Sequence, residues 1–424
     1  MRKIPVILAA MLTLSPLACL TGCGGEESTA ESMTAELETV TEATSAAATE
    51  TTIPQTTTSA AETTESTADS VTASQTQTSA VQVMTQTAAQ TVQQQTQQQQ
   101  TQQQTQAPAS QPASSADIPV ISTTGGVTRI ENNIIVANSG TDHPRAVEQF
   151  CGNYNSDERY AKLVSSYAAA VGPNVHTWLM VPPTSQAFYQ PDDVALINGS
   201  QQTHFEKMTE FLSGVTPVPV IDAIAPHKNE PIYSRTDYHW QPLGAYYAAE
   251  QFASLAGVPF PQLSTYQKVT AEGYLGAFYN VNKISELAKY PEPFTYYKPA
   301  NNDSLVCTYY DTRFQNGQKS RLFFEGGAIT YCVFVGRDNC ILEVDTDTQN
   351  DRVLVIFKDS FGNALVPFLT QSFSKIYLCD IRYFDINAIS FIKNAGATDL
   401  LFAVCTTNAM ATHNLNYIEQ NMKK

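Results

Sequence analysis

The chain has 424 residues, 24 of them basic and 40 acidic, for a formal charge of −16 at pH 7 with neutral histidines. No basic patch is present to neutralise phosphates, so nucleic acid is not an expected partner. The eight cysteines and six histidines form neither a CxxC pair nor a His-spaced ligand set, so no metal site and no other cofactor is expected.

The first segment, Met1 to Gly22, opens with Arg2 and Lys3 and continues as a largely apolar run from Ile4 to Leu20. A charged start and an apolar stretch too short for a comfortable membrane span predict a secretory signal. Leu20-Thr21-Gly22-Cys23 closes the run and resembles a bacterial lipobox, where the cysteine thiol is lipidated and becomes the new N-terminus. The expectation is a lipid on Cys23 and an extracytoplasmic, membrane-anchored location; a plain cleavable signal with a chance cysteine is the alternative. Residues 23–117 are rich in Thr, Ser, Ala and Gln, with eleven acidic residues, no basic residue and no aromatic one. Such a composition buries too little apolar surface to offset ordering entropy, which predicts a disordered tether with a reach of roughly 50–60 Å.

Residues 118–424 hold the aromatic residues, and acidic side chains there exceed basic ones by only seven. Six cysteines fall in this part (Cys151, Cys307, Cys332, Cys340, Cys379, Cys405). An exported chain permits disulfides, but the spacing selects no pairing. Apolar residues at helical spacing predict a helix over 156–171, followed by a buried strand over 175–181 that Pro182-Pro183 stops. A helix is expected over 202–212. A short strand is expected over 218–221, with Pro219 arguing for an edge position or a strand start. Gln241-Pro242 opens another helix, with Pro tolerated in its first turn. The stretch 268–347 alternates and carries turn clusters, which reads as a β-rich insertion. Beyond it come a strand at 353–357, a helix at 361–372, a strand at 375–378, a helix at 385–394 and a strand at 400–404. That rhythm predicts an α/β fold: a parallel sheet covered by helices.

Ligands bind such sheets at the carboxyl ends of the strands. Lys358-Asp359-Ser360-Phe361-Gly362-Asn363 follows the strand at 353–357, so the Ser360 hydroxyl is expected at a strand-to-helix turn, a place suited to a nucleophile. A serine needs a base to take its proton. In Asp237-Tyr238-His239-Trp240 the acid and the imidazole stand two apart, so an extended backbone turns both to one side. His239 is the candidate base and Asp237 the candidate that orients it. Asn363 and backbone N–H groups near Ser360 are candidate oxyanion donors. Arg382, after the next strand, is a candidate binder of an anionic sugar. The plainer readings are that Asp237 and His239 form a structural pair and that Ser360 caps a helix. Tyr274, Tyr279, Tyr296, Tyr297, Tyr309 and Tyr310 are expected to pack or to stack on sugars. The other five histidines carry no partner pattern.

D-x-H-W before an aromatic, Gly-containing helix, with D-S-F-G-N far downstream at a strand end, resembles the DHHW family. These are relatives of the alginate O-acetyltransferase group within the SGNH hydrolase-like fold. The resemblance covers most of residues 120–410 and implies Asp237 and His239 as acid and base and Ser360 as nucleophile. Two positions depart: Tyr238 stands in place of the family's first His, and Lys358 where the familiar esterase motif has Gly. The function so implied is a serine O-acetyltransferase or acetylesterase acting on an extracellular polysaccharide or cell-wall glycan. A transferase would need a membrane acyl-donor protein as partner. A non-catalytic glycan-binding or scaffolding lipoprotein is the competing expectation, and a solute-binding lipoprotein is disfavoured because only one sheet pattern is present.

Overall fold

Both faces of the central strands are buried, which is why they read as continuous apolar runs rather than alternating ones. In the computed structural model residues 126–424 are described. The signal segment Met1–Gly22, Cys23 and the tether of residues 23–117 lie outside the described residues. Thirteen strands are present among the described residues: β1 (Val127–Glu131), β2 (Ile134–Ser139), β3 (Arg145–Glu148), β4 (His176–Met180), β5 (Val215–Val218), β6 (Gln267–Tyr274), β7 (Glu292–Lys298), β8 (Val306–Tyr310), β9 (Gln318–Ser320), β10 (Ile341–Asp345), β11 (Val353–Lys358), β12 (Lys375–Asp380) and β13 (Asp399–Ala403).

The main sheet has eight strands in the order β5-β4-β13-β11-β12-β10-β8-β9. β5, β4, β13, β11 and β12 run parallel. β10, β8 and β9 continue the sheet antiparallel. The sheet is therefore mixed and mostly parallel. The stretch expected as an insertion divides in two. β6 and β7 form a separate antiparallel pair, while β8, β9 and β10 extend the main sheet.

Period-two alternation distributes the core. Trp178, Leu354, Ile356, Ile376 and Leu401 face one side, packed with Ala249 and Phe252 of the helix Pro242–Ala256. Leu179, Val355, Phe357 and Phe402 face the other, packed with Tyr160, Val164 and Tyr167 of the helix Tyr154–Val171. Ile392 of the helix Ala388–Asn394 and Ile418 of the helix Thr412–Lys423 complete that second layer. β1, β2 and β3 make a small antiparallel sheet. It is tied to the chain just before Asp237 through the Ala146 N–H, which donates to the Arg235 carbonyl at 3.0 Å.

Three expected elements differ. The helix expected over 385–394 starts only at Ala388. β5 starts three residues before its expected position, although it does lie on the sheet edge; Pro219 ends it and precedes the short helix Val220–Ile224. The expected helix at 361–372 is instead a 3-10 helix, Ser360–Leu365, followed by the short α-helix Val366–Leu369. Pro367 has no N–H to bond back to residue 363, so one α-helix cannot run through it. Cys307, Cys340, Cys379 and Cys405 are buried free thiols.

Candidate active site

Ser360 stands two residues beyond the end of β11 and begins the 3-10 helix. Capping that helix falls to Asp359, whose Oδ1 accepts the Phe361 N–H at 3.0 Å. The other Asp359 oxygen accepts the Cys405 N–H at 2.9 Å and Asn408 Nδ2 at 2.8 Å, both just beyond β13. The plainer reading of Ser360 as a cap therefore fails, and its hydroxyl is released for another partner. That partner is His239: Ser360 Oγ lies 2.7 Å from His239 Nε2.

On the other side of the ring, His239 Nδ1 is 2.8 Å from Asp237 Oδ1, which also accepts the His239 backbone N–H at 2.9 Å. Asp237 Oδ2 accepts the Tyr274 hydroxyl at 2.6 Å and the Ala277 N–H at 3.0 Å. Burial alone would push the Asp237 carboxyl up. The His239 ring, its side-chain and backbone hydrogen bonds and the Tyr274 hydroxyl outweigh burial and hold the group below the usual carboxylate range. An ionised carboxylate only accepts, so Nδ1 carries the ring proton and Nε2 of the neutral ring is left to accept from Ser360. Asp237 and His239 are both buried, whereas Ser360 is half-buried at the rim.

The loop carrying Asp237 is held from three directions. Glu292, at the start of β7, accepts the backbone N–H groups of Arg235 and Thr236 and the Thr236 hydroxyl at 2.7–2.9 Å. Gly276 passes so close that a Cβ there would stand 2.2 Å from the Asp237 Cβ. Only glycine permits that approach. Trp240, fully buried, donates its indole N–H to the Phe361 carbonyl at 3.1 Å and to the Tyr331 hydroxyl at 3.2 Å. The Tyr331 ring lies flat on the His239 ring, with centroids 3.8 Å apart and planes 3° apart. None of Tyr274, Gly276, Glu292, Tyr331 or the capping role of Asp359 follows from local spacing. The aromatic strand end running into Leu275-Gly276 is the one sequence signal that points there.

Lys358, which stands where the familiar esterase motif has Gly, is buried and points away from this relay. Its Nζ lies 2.6 Å from Asp338 and 2.8 Å from Asp380. A Cβ on Gly362 would stand 2.5 Å from the Lys358 Cβ, so the lysine stem fills the space beneath the turn. Arg382 and Asn363 end in the same cluster. Arg382 bonds Asp380 at 2.7 Å and Asp338 at 2.9 Å, and Asn363 Nδ2 donates to Asp338 at 2.8 Å. The Asp338 carboxyl is desolvated, but Lys358 and Arg382 hold it far below the usual carboxylate range. The Arg382 charge is thus already compensated by protein carboxylates. Of the backbone N–H groups near Ser360, those of Phe361 and Gly362 are bonded to Asp359. Tyr274, Tyr296, Tyr297 and Tyr309 are buried, so packing accounts for them rather than sugar stacking.

Fold and site together define an α/β protein that sets a carboxylate, an imidazole and an alcohol in hydrogen-bonded series at the carboxyl end of a mostly parallel sheet. The chain belongs to the DHHW family, whose model, described as DHHW protein, matches residues 144–379. The crystal structure of a DHHW family protein from Eubacterium siraeum is 38% identical, covers 72% of this chain and 99% of its own, and superposes with a TM-score of 0.66. Bacillus cereus PatB1, in a structure with a sulfonyl adduct, is 17% identical over 69% of this chain and 98% of its own, with a TM-score of 0.55. The O-acetyltransferase domain of Pseudomonas putida AlgJ is more distant, at 13% identity, 68% and 98% coverage and a TM-score of 0.41. No curated protein matches the chain. Tyr238, which replaces the family's first His, packs edge-on against Phe278 with centroids 6.0 Å apart.

Proposed function

We propose that this protein is a serine acyl-ester enzyme of the SGNH type, an O-acetyltransferase or acetylesterase acting on an extracellular polysaccharide or cell-wall glycan. The observation that carries the reading is the unbroken line Asp237–His239–Ser360, with contacts of 2.8 and 2.7 Å. Ser360 Oγ attacks the acyl carbonyl carbon while its proton passes to His239 Nε2, and Asp237 balances the imidazolium. Collapse of the tetrahedral intermediate breaks the ester C–O bond, and the leaving alcohol takes the proton back from His239. A sugar hydroxyl (transfer) or water (hydrolysis) then attacks acyl-Ser360, again giving its proton to Nε2, and the serine is regenerated.

The likeness of D-x-H-W and D-S-F-G-N to the alginate O-acetyltransferase group turns the reading toward acetyl esters. The sulfonyl adduct on PatB1 fits it too, since a sulfonyl group is captured by a nucleophile. In this reading a lipid on Cys23 anchors the chain outside the cell membrane, the tether of residues 23–117 gives it reach into the envelope, and a membrane protein supplies acyl groups to the transferase. Ser360 is half-buried rather than sealed, as a residue that must meet an acceptor has to be.

The test is labelling by a serine-directed fluorophosphonate together with turnover of an acetyl ester, wild type against Ser360→Ala. Labelling and turnover that vanish in the variant support the enzyme. Identical behaviour of the two proteins removes it and leaves a glycan-binding lipoprotein.

A further inference from the structure

The relay is enclosed by two aromatic side chains from parts of the sequence that carry no part of it. Tyr274 ends β6 and Tyr331 lies in the connection before β10. The Tyr274 hydroxyl reaches the Asp237 oxygen that His239 does not use, at 2.6 Å, and the tyrosine is almost fully buried. With the Ala277 N–H and the two His239 donors, it brings the hydrogen bonds on Asp237 to four. Both carboxylate oxygens are thereby satisfied in a site closed to water, and rotation about the Asp237 side chain would break bonds at both ends. Tyr331 covers one face of the imidazole in a parallel stack at 3.8 Å. Its own position is set by the Trp240 indole and the Phe361 carbonyl, at 3.2 and 3.3 Å. Tyr331 thus touches the segment of the base and the segment of the nucleophile together.

We infer that Tyr274 and Tyr331 are positioning residues: Tyr274 locks the carboxylate and Tyr331 sets the plane of the imidazole, so the stretch between the two halves of the relay builds the base as a working unit. The inference rests on the acyl-transfer reading above for its kinetic consequence but not for its spectroscopic one. The Tyr274 hydroxyl draws negative charge away from the oxygen facing His239. Removing it leaves more charge beside the ring, which then holds its second proton more tightly. In the Tyr331 position a ring of any kind keeps the stack, while an aliphatic side chain loses it.

The test uses the full-length chain. The rate of fluorophosphonate labelling of Ser360 is followed against pH in wild type, Tyr274→Phe, Tyr331→Phe and Tyr331→Leu, each checked for folding by circular dichroism. For Tyr274→Phe the acid-side midpoint of the rate is expected to move up by about half to one pH unit. For Tyr331→Leu the rate is expected to fall about 10- to 100-fold, with Tyr331→Phe within about threefold of wild type. A lower rate with an unmoved midpoint in Tyr274→Phe, or Tyr331→Leu equal to wild type, overturns the inference. The His239 ring signals are also followed by NMR titration in a Ser360→Ala background, with and without Tyr274→Phe. A shifted titration supports the inference even where wild-type Ser360 proves unreactive, an outcome that removes the enzymatic reading alone. An unshifted titration overturns the inference whatever the labelling shows.

Discussion

Two buried Asp–His pairs lie among the described residues, and they differ in the atom on the far side of the ring. In the first, His239 joins Asp237 to the Ser360 hydroxyl. In the second, His204 joins Asp157, at 2.6 Å, to the backbone carbonyl of Asn198, at 2.7 Å. A carbonyl only accepts, so His204 Nε2 must carry a proton, and the carboxyl group shares the proton at Nδ1. That ring has no lone pair facing outward and no proton to collect. It is also sealed, stacked on Tyr154 with centroids 4.4 Å apart and fully buried. Desolvation pushes the Asp157 carboxyl up, opposed by the hydrogen bond and charge of His204, whereas Asp237, with four donors, is held down. An Asp–His pair is therefore chemically uncommitted until its third partner is known: a hydroxyl makes a base of it, a carbonyl makes a fastener.

The sharpest way to break this comparison is to remove each ring. His239→Ala is expected to cut labelling and turnover by about four orders of magnitude with a small change in melting temperature. His204→Ala is expected to cost about 3–5 kcal/mol in urea unfolding, because Asp157 is left buried without its partner, while the folded fraction keeps its labelling rate. Equal losses of activity per folded molecule would erase the distinction.

Each pair also leans on a glycine. A Cβ at Gly152 would stand 1.8 Å from His204 Nε2, and one at Gly276 would stand 2.3 Å from Asp237 Oδ2. Both substitutions to Ala are expected to destabilise by about 1–3 kcal/mol, measured by thermal unfolding. Only Gly276→Ala is expected to slow labelling of the folded protein, by roughly tenfold or more, since about 1 Å of displacement suffices for such losses.

The smallest expected effect concerns the charge next to Ser360. Glu148, half-buried at the end of β3, has its carboxyl pushed up to about 7 by burial and then by the charge of Asp359. Its folded-state value lies above its unfolded one, so between these values the native state binds more protons, and the stability present at low pH is lost as pH rises through about 7. Glu148→Gln cannot titrate. The drop in melting temperature between pH 5 and pH 8 is expected to shrink by a few degrees, roughly, in this variant.

The parallel core was legible because its signal is local: apolar runs at 353–357, 375–378 and 400–404 each became a strand within a residue or two. Asp237, His239 and Ser360 were legible for a similar reason, as two residues at extended spacing and one at a strand end. Contacts between side chains far apart in the chain were not. Asp157 and His204 are 47 positions apart and meet only through the packing of two helices. Lys358 looked like a defect because its partners, Asp338 and Asp380, are 20 and 22 positions away. The stretch 268–347 was read from its alternation, which identifies strands but not the sheet they join. The 3-10 helix at Ser360 escaped because apolar periodicity hardly separates it from an α-helix.

The alcohol and the imidazole that meet at the sheet rim are separated by 121 positions along the chain, and the clamp closing around them comes from between. In the proposed reading, reactivity is therefore a property of the finished fold. On that reading, a polypeptide truncated anywhere in that interval, or locally opened there, carries an ordinary serine and an ordinary histidine.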